Sequence, residues 1–254
     1  MGKNIEDVLN FREDISPFLV HLTRRTDTKS ARMVLEDIIL SNGLRQSGKE
    51  ISDVKWGCRS LQWDEQKKKN LFSSVCFTET PLNEIHCLLD INKRQVELEP
   101  YGLVFLKSRL IRKNVSPVFY LNNYGRSMDE TIRTLGEIVA SDTYSTSLHK
   151  LFPLFSSIGY KYELPSSGPD KAIIDFSWER EWRLPYCYGD FSLDYDNDVF
   201  IGLCPHEEID YFEGFVAENE LKSVPFIDPR RNAKWYAEKI TERCKRFELS
   251  YSVL

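Results

Sequence analysis

The chain has no Cys-x-x-Cys pair. Its six cysteines, Cys58, Cys76, Cys87, Cys187, Cys204 and Cys244, are scattered. Neither a disulfide framework nor a zinc-binding spacing is therefore present, and reduced core thiols are expected. Cys204 with His206, and His86 beside Cys87, come nearest to a ligand pair, but neither spacing matches a ligand pattern and no metal is expected. Gly-x-Gly-x-x-Gly, the P-loop, Gly-x-Ser-x-Gly and His-Glu-x-x-His are all missing, which argues against the common nucleotide-fold, hydrolase and metalloprotease classes. No apolar run approaches the roughly 18 residues of a membrane span, and Met1 to Asp7 lack the basic and apolar blocks of a signal peptide. A cytoplasmic protein without membrane association is the expectation. Basic excess is missing too: 34 Lys and Arg stand against 39 Asp and Glu, so the field of a dedicated nucleic-acid binder is lacking. A local basic groove is not excluded, although Lys67-Lys68-Lys69 reads first as a solvated loop. No internal repeat is found.

What is present is an ordinary globular composition, 41% hydrophobic and 29% charged over 254 residues, which implies one domain spanning residues 1–254. Aromatic residues reach 13% and fall inside short strand-like runs. Strands are predicted at Phe18 to Thr23, Val75 to Thr78, Tyr101 to Leu106, Pro117 to Leu121, Glu181 to Leu184, Val199 to Leu203 and Val224 to Ile227. Several are continuous apolar runs, as in buried strands. After Ser30, a good N-cap, Ala31, Val34, Leu35, Ile38 and Ile39 follow the helical repeat, and Gly43 stands where a left-handed C-cap is wanted. Ser127 to Glu130 has capping-box spacing ahead of Ile132, Leu135, Ile138 and Val139. Asp228-Pro229 opens a C-terminal helix at about 229–249, with Tyr236, Ala237, Ile240, Cys244 and Phe247 on one face. The strand at Val199, a helix through Ile209, Phe212 and Val216, and the strand at Val224 form a short crossover unit. Ser47 to Asn70 and Pro153 to Lys171 read as loops, the second long enough for a lid or for a plain surface excursion. The fold class is α+β: a mixed, mainly antiparallel sheet core flanked by helices.

Three segments can carry chemistry. In Phe18 to Arg25, His21 and Thr23 stand two apart on one side of an apolar strand, where imidazole and hydroxyl can grip a ribose or an amide. A core histidine satisfied by backbone is the other reading. In Val75 to His86, a strand ends at Glu79, a position where polar groups often line clefts. In Ser177 to Pro185, alternation puts Glu179, Glu181 and Arg183 on one face and Trp178 and Trp182 on the other. If the indoles are core, the Glu–Arg row faces a cavity and the guanidinium keeps its carboxylate ionised; a structural ladder on an exposed sheet is the alternative.

Taken in order, Val75 to Leu82 with His86, Tyr101 to Lys107, Ser116 to Tyr120 and Glu179 to Pro185 resemble the AbiGi family of abortive phage-resistance proteins. The resemblance spans roughly residues 18 to 215. It rests on four motifs, of which Glu179-Arg180-Glu181-Trp182-Arg183 is the most specific. The family's Cys-Phe-Cys-Asp reads Cys76-Phe77-Thr78-Glu79 here. The layout is also similar to the ADP-ribosyltransferase-like fold. That resemblance implies an NAD-using effector in which His21 grips the ribose, Phe77 or Tyr101 stacks on nicotinamide and Glu181 stabilises an oxocarbenium-like ribose. Catalytic roles fall to His21 and Glu181, and NAD contacts to Thr23, Phe77, Glu79, Tyr101 and Arg183. The family also implies the alternative of a non-catalytic antitoxin. Such a component would bind a partner toxin, a phage protein or nucleic acid through a degenerate cleft.

Overall fold

The computed structural model describes residues 15–45, 73–91, 97–122, 127–140, 150–158, 177–195, 197–219 and 224–249. In chain order the first elements are β1 (Phe18–Leu22), α1 (Ala31–Ser41), β2 (Gly43–Leu44), β3 (Ser74–Thr78), α2 (Ile85–Leu89), β4 (Gly102–Leu106), α3 (Lys107–Arg112), β5 (Ser116–Pro117) and β6 (Phe119–Asn122). They are followed by α4 (Asp129–Ala140), β7 (Phe155–Ile158), β8 (Glu181–Pro185), β9 (Phe191–Ser192), β10 (Val199–Leu203), α5 (Ile209–Glu218), β11 (Phe226–Ile227) and α6 (Ala237–Arg246). Contacts divide the chain into two compact units. One comprises Met1–Gly43, Phe77–Lys113 and Ser192–Leu254, and the other Leu44–Cys76 and Asn114–Phe191.

The first unit is built on a sheet in the order β11-β10-β4-β1, with the Phe77–Thr78 end of β3 beside β1. β4 is antiparallel to both neighbours, and only β10 and β11 run parallel. The sheet is thus mixed and mainly antiparallel, and with its helices the unit is α+β. Every residue of β4 and β10 is buried, as unbroken apolar runs require in central strands. Gly102 is obligatory: a Cβ there would lie 2.3 Å from the His21 carbonyl oxygen. Pairing between β10 and β4 is irregular between Val199 and Ile201. Arg243, 4% exposed, reaches this irregularity, donating from Nε to the Phe200 carbonyl and from Nη2 to the Val199 carbonyl, both at 2.7 Å. On β11, Pro225 and Ile227 accept from β10, so the N–H and C=O of Phe226 point outward. Both are covered: the N–H donates to Glu213 Oε1 at 2.8 Å, and Lys239 Nζ donates to the carbonyl at 3.3 Å.

α1 starts as expected, with Ser30 Oγ accepting from the Met33 N–H at 3.3 Å. It ends one residue before the expected C-cap: Asn42, not Gly43, takes the left-handed conformation at φ 51°. The crossover β10-α5-β11 is present, with Ile209, Phe212 and Val216 buried. The C-terminal helix begins later than expected. Asp228-Pro229 opens a turn, Asn232 caps the 3-10 turn Ala233–Tyr236, and α6 starts only at Ala237, which is exposed.

In the second unit, β5 and β8 pair antiparallel, Ser116 opposite Arg183, and β8 also neighbours β3. β6 and β7 pair parallel. The strand expected at Pro117 to Leu121 is broken at Val118, whose N–H donates to the Glu181 carbonyl at 2.9 Å. Ahead of α4 the Ser127 hydroxyl donates to the Asn122 carbonyl at 3.4 Å, and Ile138, expected on the buried face, is 38% exposed. The loop expected from Pro153 opens instead as the 3-10 turn Phe152–Leu154 and β7. Its remainder, like the loop at Ser47 to Asn70 with Lys67 to Lys69, lies outside the described residues.

Candidate functional site

Chain geometry brings one set of polar groups of the first unit to one end of its sheet. Leu22 of β1 and Leu203 of β10 both oppose Gly102, and Leu203 also opposes Ile227 of β11. The residues just beyond these strands therefore crowd together: Thr23, Tyr101, Cys204 to Glu208, and Asp228. The carboxyl ends of parallel strands flanking a crossover helix are a recurrent place for ligands in open sheets.

Two polar chains occupy this end. In the first, the Tyr101 phenol donates to Glu208 Oε1 at 3.1 Å. Arg32 Nε lies 3.2 Å from Glu208 Oε2 and 3.3 Å from Glu36 Oε1, and its guanidinium sits 4.4 Å over the Tyr211 ring. Tyr211 donates to Glu36 Oε1 at 2.9 Å. Burial, and then the hydrogen bond to Glu208, push the Tyr101 phenol up, so it stays a neutral donor. Arg32 Nε and Glu208 Oε2 are buried atoms that face each other without an aligned hydrogen bond.

In the second chain, one buried carboxylate organises its surroundings. Asp228, 8% exposed, accepts from the His206 N–H at 3.3 Å and the Arg230 N–H at 2.9 Å, and stands 3.7 Å from Arg231 Nε. His206 Nδ1 pairs with the Tyr236 hydroxyl at 3.0 Å, which fixes the ring while leaving the residue exposed. The sequence offers His206 only as a metal-ligand neighbour of Cys204, Asp228 only as a helix cap, and Arg230 and Arg231 only as partner-binding residues of a non-catalytic component; it does not foresee their grouping around one carboxylate. The available signal was Pro205-His206-Glu207-Glu208, a polar run straight after the apolar strand of the crossover unit.

The nominated residues are placed as follows. Thr23 is 2% exposed and its hydroxyl points at the Ala31 and Tyr101 carbonyls, 3.0 and 3.2 Å away. With a single proton, it serves only one of them at a time. His21 is half-buried on β1, its ring edge-on to Phe77 at 5.8 Å. Phe77 is 3% exposed and packs edge-to-face on Phe105. Glu79 Oε1 accepts from Lys107 Nζ at 2.8 Å, both side chains being largely covered. The first unit thus brings His21 and Phe77 together, and brings Thr23 to Tyr101.

In the second unit, Glu181 and Arg183 form a two-pronged pair, Nε to Oε1 at 2.8 Å and Nη2 to Oε2 at 2.7 Å. Arg183 is 2% exposed and also donates to the carbonyls of Pro153 and Phe155. Burial alone would lower its pKa, but the Glu181 carboxylate outweighs that and the guanidinium stays protonated. The strand face differs from the alternation expected. Ser177–Glu179 forms a 3-10 turn, Arg180 has φ 45°, and only then does the strand begin, so Glu179 is not in the row and Trp178 is 41% exposed.

Among the described residues, no three His, Cys, Asp or Glu side chains are grouped to hold a metal ion. No helix among them is long and apolar enough to cross a membrane. No family model, no curated protein and no solved structure matches the chain.

Proposed function

We propose that this chain is a bacterial anti-phage abortive-infection protein of the AbiGi type that acts in the cytoplasm by binding a defence partner, a toxin or a phage protein, rather than by turning over NAD. The observation that carries the reading is the Glu181–Arg183 pair. A carboxylate that stabilises an oxocarbenium-like ribose must present uncompensated negative charge, because only charge directed at the transition state lowers the barrier. A buried guanidinium held on both oxygens largely cancels that charge. Thr23, Glu79 and Tyr101 are engaged by the protein in the same manner, with their hydrogen bonds directed at its own carbonyls and side chains.

The competing reading is an ADP-ribosyltransferase-like fold used as an NAD-consuming effector. It is favoured by the meeting of His21 with Phe77, an imidazole beside an aromatic ring on neighbouring strands. One pair of measurements separates the two. NAD at about 100 times a typical dissociation constant stabilises a protein that binds it by about 2.7 kcal/mol. We expect no such rise in melting temperature, and phage protection by Glu181→Gln that falls no further than its loss of folded protein, since that variant keeps one acceptor for Arg183 but not the charge. NAD-dependent stabilisation together with loss of protection in that variant would overturn the binding reading in favour of the effector.

A further inference from the structure

We propose that the segment Arg230 to Trp235, with His206 beside it, is a contact site for single-stranded nucleic acid. Trp235 is 68% exposed, more than any other large hydrophobic side chain among the described residues. Isolated exposed apolar residues are ordinary, but this indole is not isolated: the Arg231 guanidinium lies 4.9 Å from its ring centroid. Arg231 is in turn anchored by Asp228. The same carboxylate binds the backbone of Arg230 and of His206, and Tyr236, the next residue after Trp235, holds the His206 ring. A buried acid thus fixes the backbone at Arg230 and the head of Arg231, Arg231 lies against the Trp235 ring, and a buried phenol fixes the His206 imidazole, which lowers the ordering cost of these groups when a ligand arrives.

The charge of the segment selects the partner. Within residues 228–235, Arg230, Arg231 and Lys234 stand against Asp228 alone, on a chain whose net charge is -5. A cationic stretch built around an aromatic ring on an otherwise acidic protein complements a ligand that alternates phosphates with flat rings. Bases stack on any aromatic face, and arginine adds both charge and a planar surface of its own. Glu207 and Glu238 are exposed immediately beside the segment. They keep the patch short, so attachment rests on stacking more than on many phosphate contacts.

The inference stands apart from the reading of Glu181, since it is measured on the pure protein without reference to phage protection. The test is fluorescence anisotropy of a labelled single-stranded oligonucleotide of about twelve nucleotides, titrated with full-length protein at several salt concentrations. Binding is expected to weaken at least about tenfold in Trp235→Ala and to be largely retained in Trp235→Phe. Arg231→Gln is expected to reduce the salt slope by about 0.7, the loss of one phosphate contact. Circular dichroism should find each variant folded, as suits exposed positions. Absence of binding by the wild-type protein, equal binding by Trp235→Ala, or displacement by a mononucleotide as readily as by the oligomer would each overturn it. An acidic peptide that competes at the site while the oligonucleotide does not bind would reassign the surface to a protein partner and equally reject the proposal.

Discussion

Arg183 is a guanidinium at 2% exposure whose removal from water is compensated by one carboxylate and two carbonyls. Deleting the carboxylate strands the charge, so Glu181→Ala is expected to cost about 3 to 5 kcal/mol in urea unfolding. Replacing both partners with apolar residues of similar size is expected to cost much less, because no buried charge is then left behind. A double-mutant cycle that found the two single changes additive would remove the pair from the account of stability. The sequence singled out this Glu–Arg row, but alternation alone put the wrong companions in it: a single residue with positive φ, Arg180, sets Glu179 off the strand. Asp228 shows the same limit. An aspartate before proline reads as a helix cap, but here it closes a turn with Arg231 and its carboxylate is shared with His206, a partner 22 residues away that leaves no local signature.

Elements with one dominant local signal were legible from sequence. β1 and β10 fall where continuous apolar runs place them, and α1 starts at the residue whose hydroxyl caps it. Ser30→Ala is accordingly expected to destabilise the protein by about 1 kcal/mol, with the loss reported by hydrogen exchange in the first turn of α1. Unchanged exchange there would show that tertiary packing, not the cap, holds the turn. Ends set by competing signals were less legible. Asn42 and Gly43 both tolerate the left-handed region, and the helix stopped at the first of them. The single strand expected at Pro117 to Leu121 became two because Val118 directs its N–H to a strand elsewhere in the chain, a choice with no local signature.

At the scale of the molecule, the groups among the described residues whose ionisation is most perturbed are thiols and phenols, all shifted upward. Burial pushes up the thiols of Cys204 and Cys244 and the phenols of Tyr101, Tyr120 and Tyr195, to which Tyr101 adds its bond to Glu208. A group with a raised folded pKa binds its proton more tightly when folded. The associated stability is complete below the unfolded pKa and is lost as pH rises towards the folded value. Stability is therefore expected to be flat with respect to these groups up to about pH 8.5, to decline as unfolded cysteines ionise, and to fall more steeply above about pH 10, where unfolded tyrosines do. Site-resolved spectra should show Tyr101, Tyr120 and Tyr195 forming phenolate only together with the loss of helical circular dichroism. Phenolate at these three positions well before unfolding would show that they are open to solvent. None of this was readable in composition, since twelve tyrosines and six cysteines reveal nothing of which are covered.

The outer strand β11 carries one further consequence. A terminal strand ordinarily offers a row of unused amides and carbonyls that can recruit a strand from a neighbouring molecule, the first step towards ordered aggregation. At Phe226 that invitation is withdrawn, because Glu213 and Lys239, themselves joined by an ion pair at 2.5 Å, occupy both outward positions as an extra strand would. At high concentration this margin is therefore closed to a strand from another copy, and growth of one molecule upon the next cannot start from Phe226.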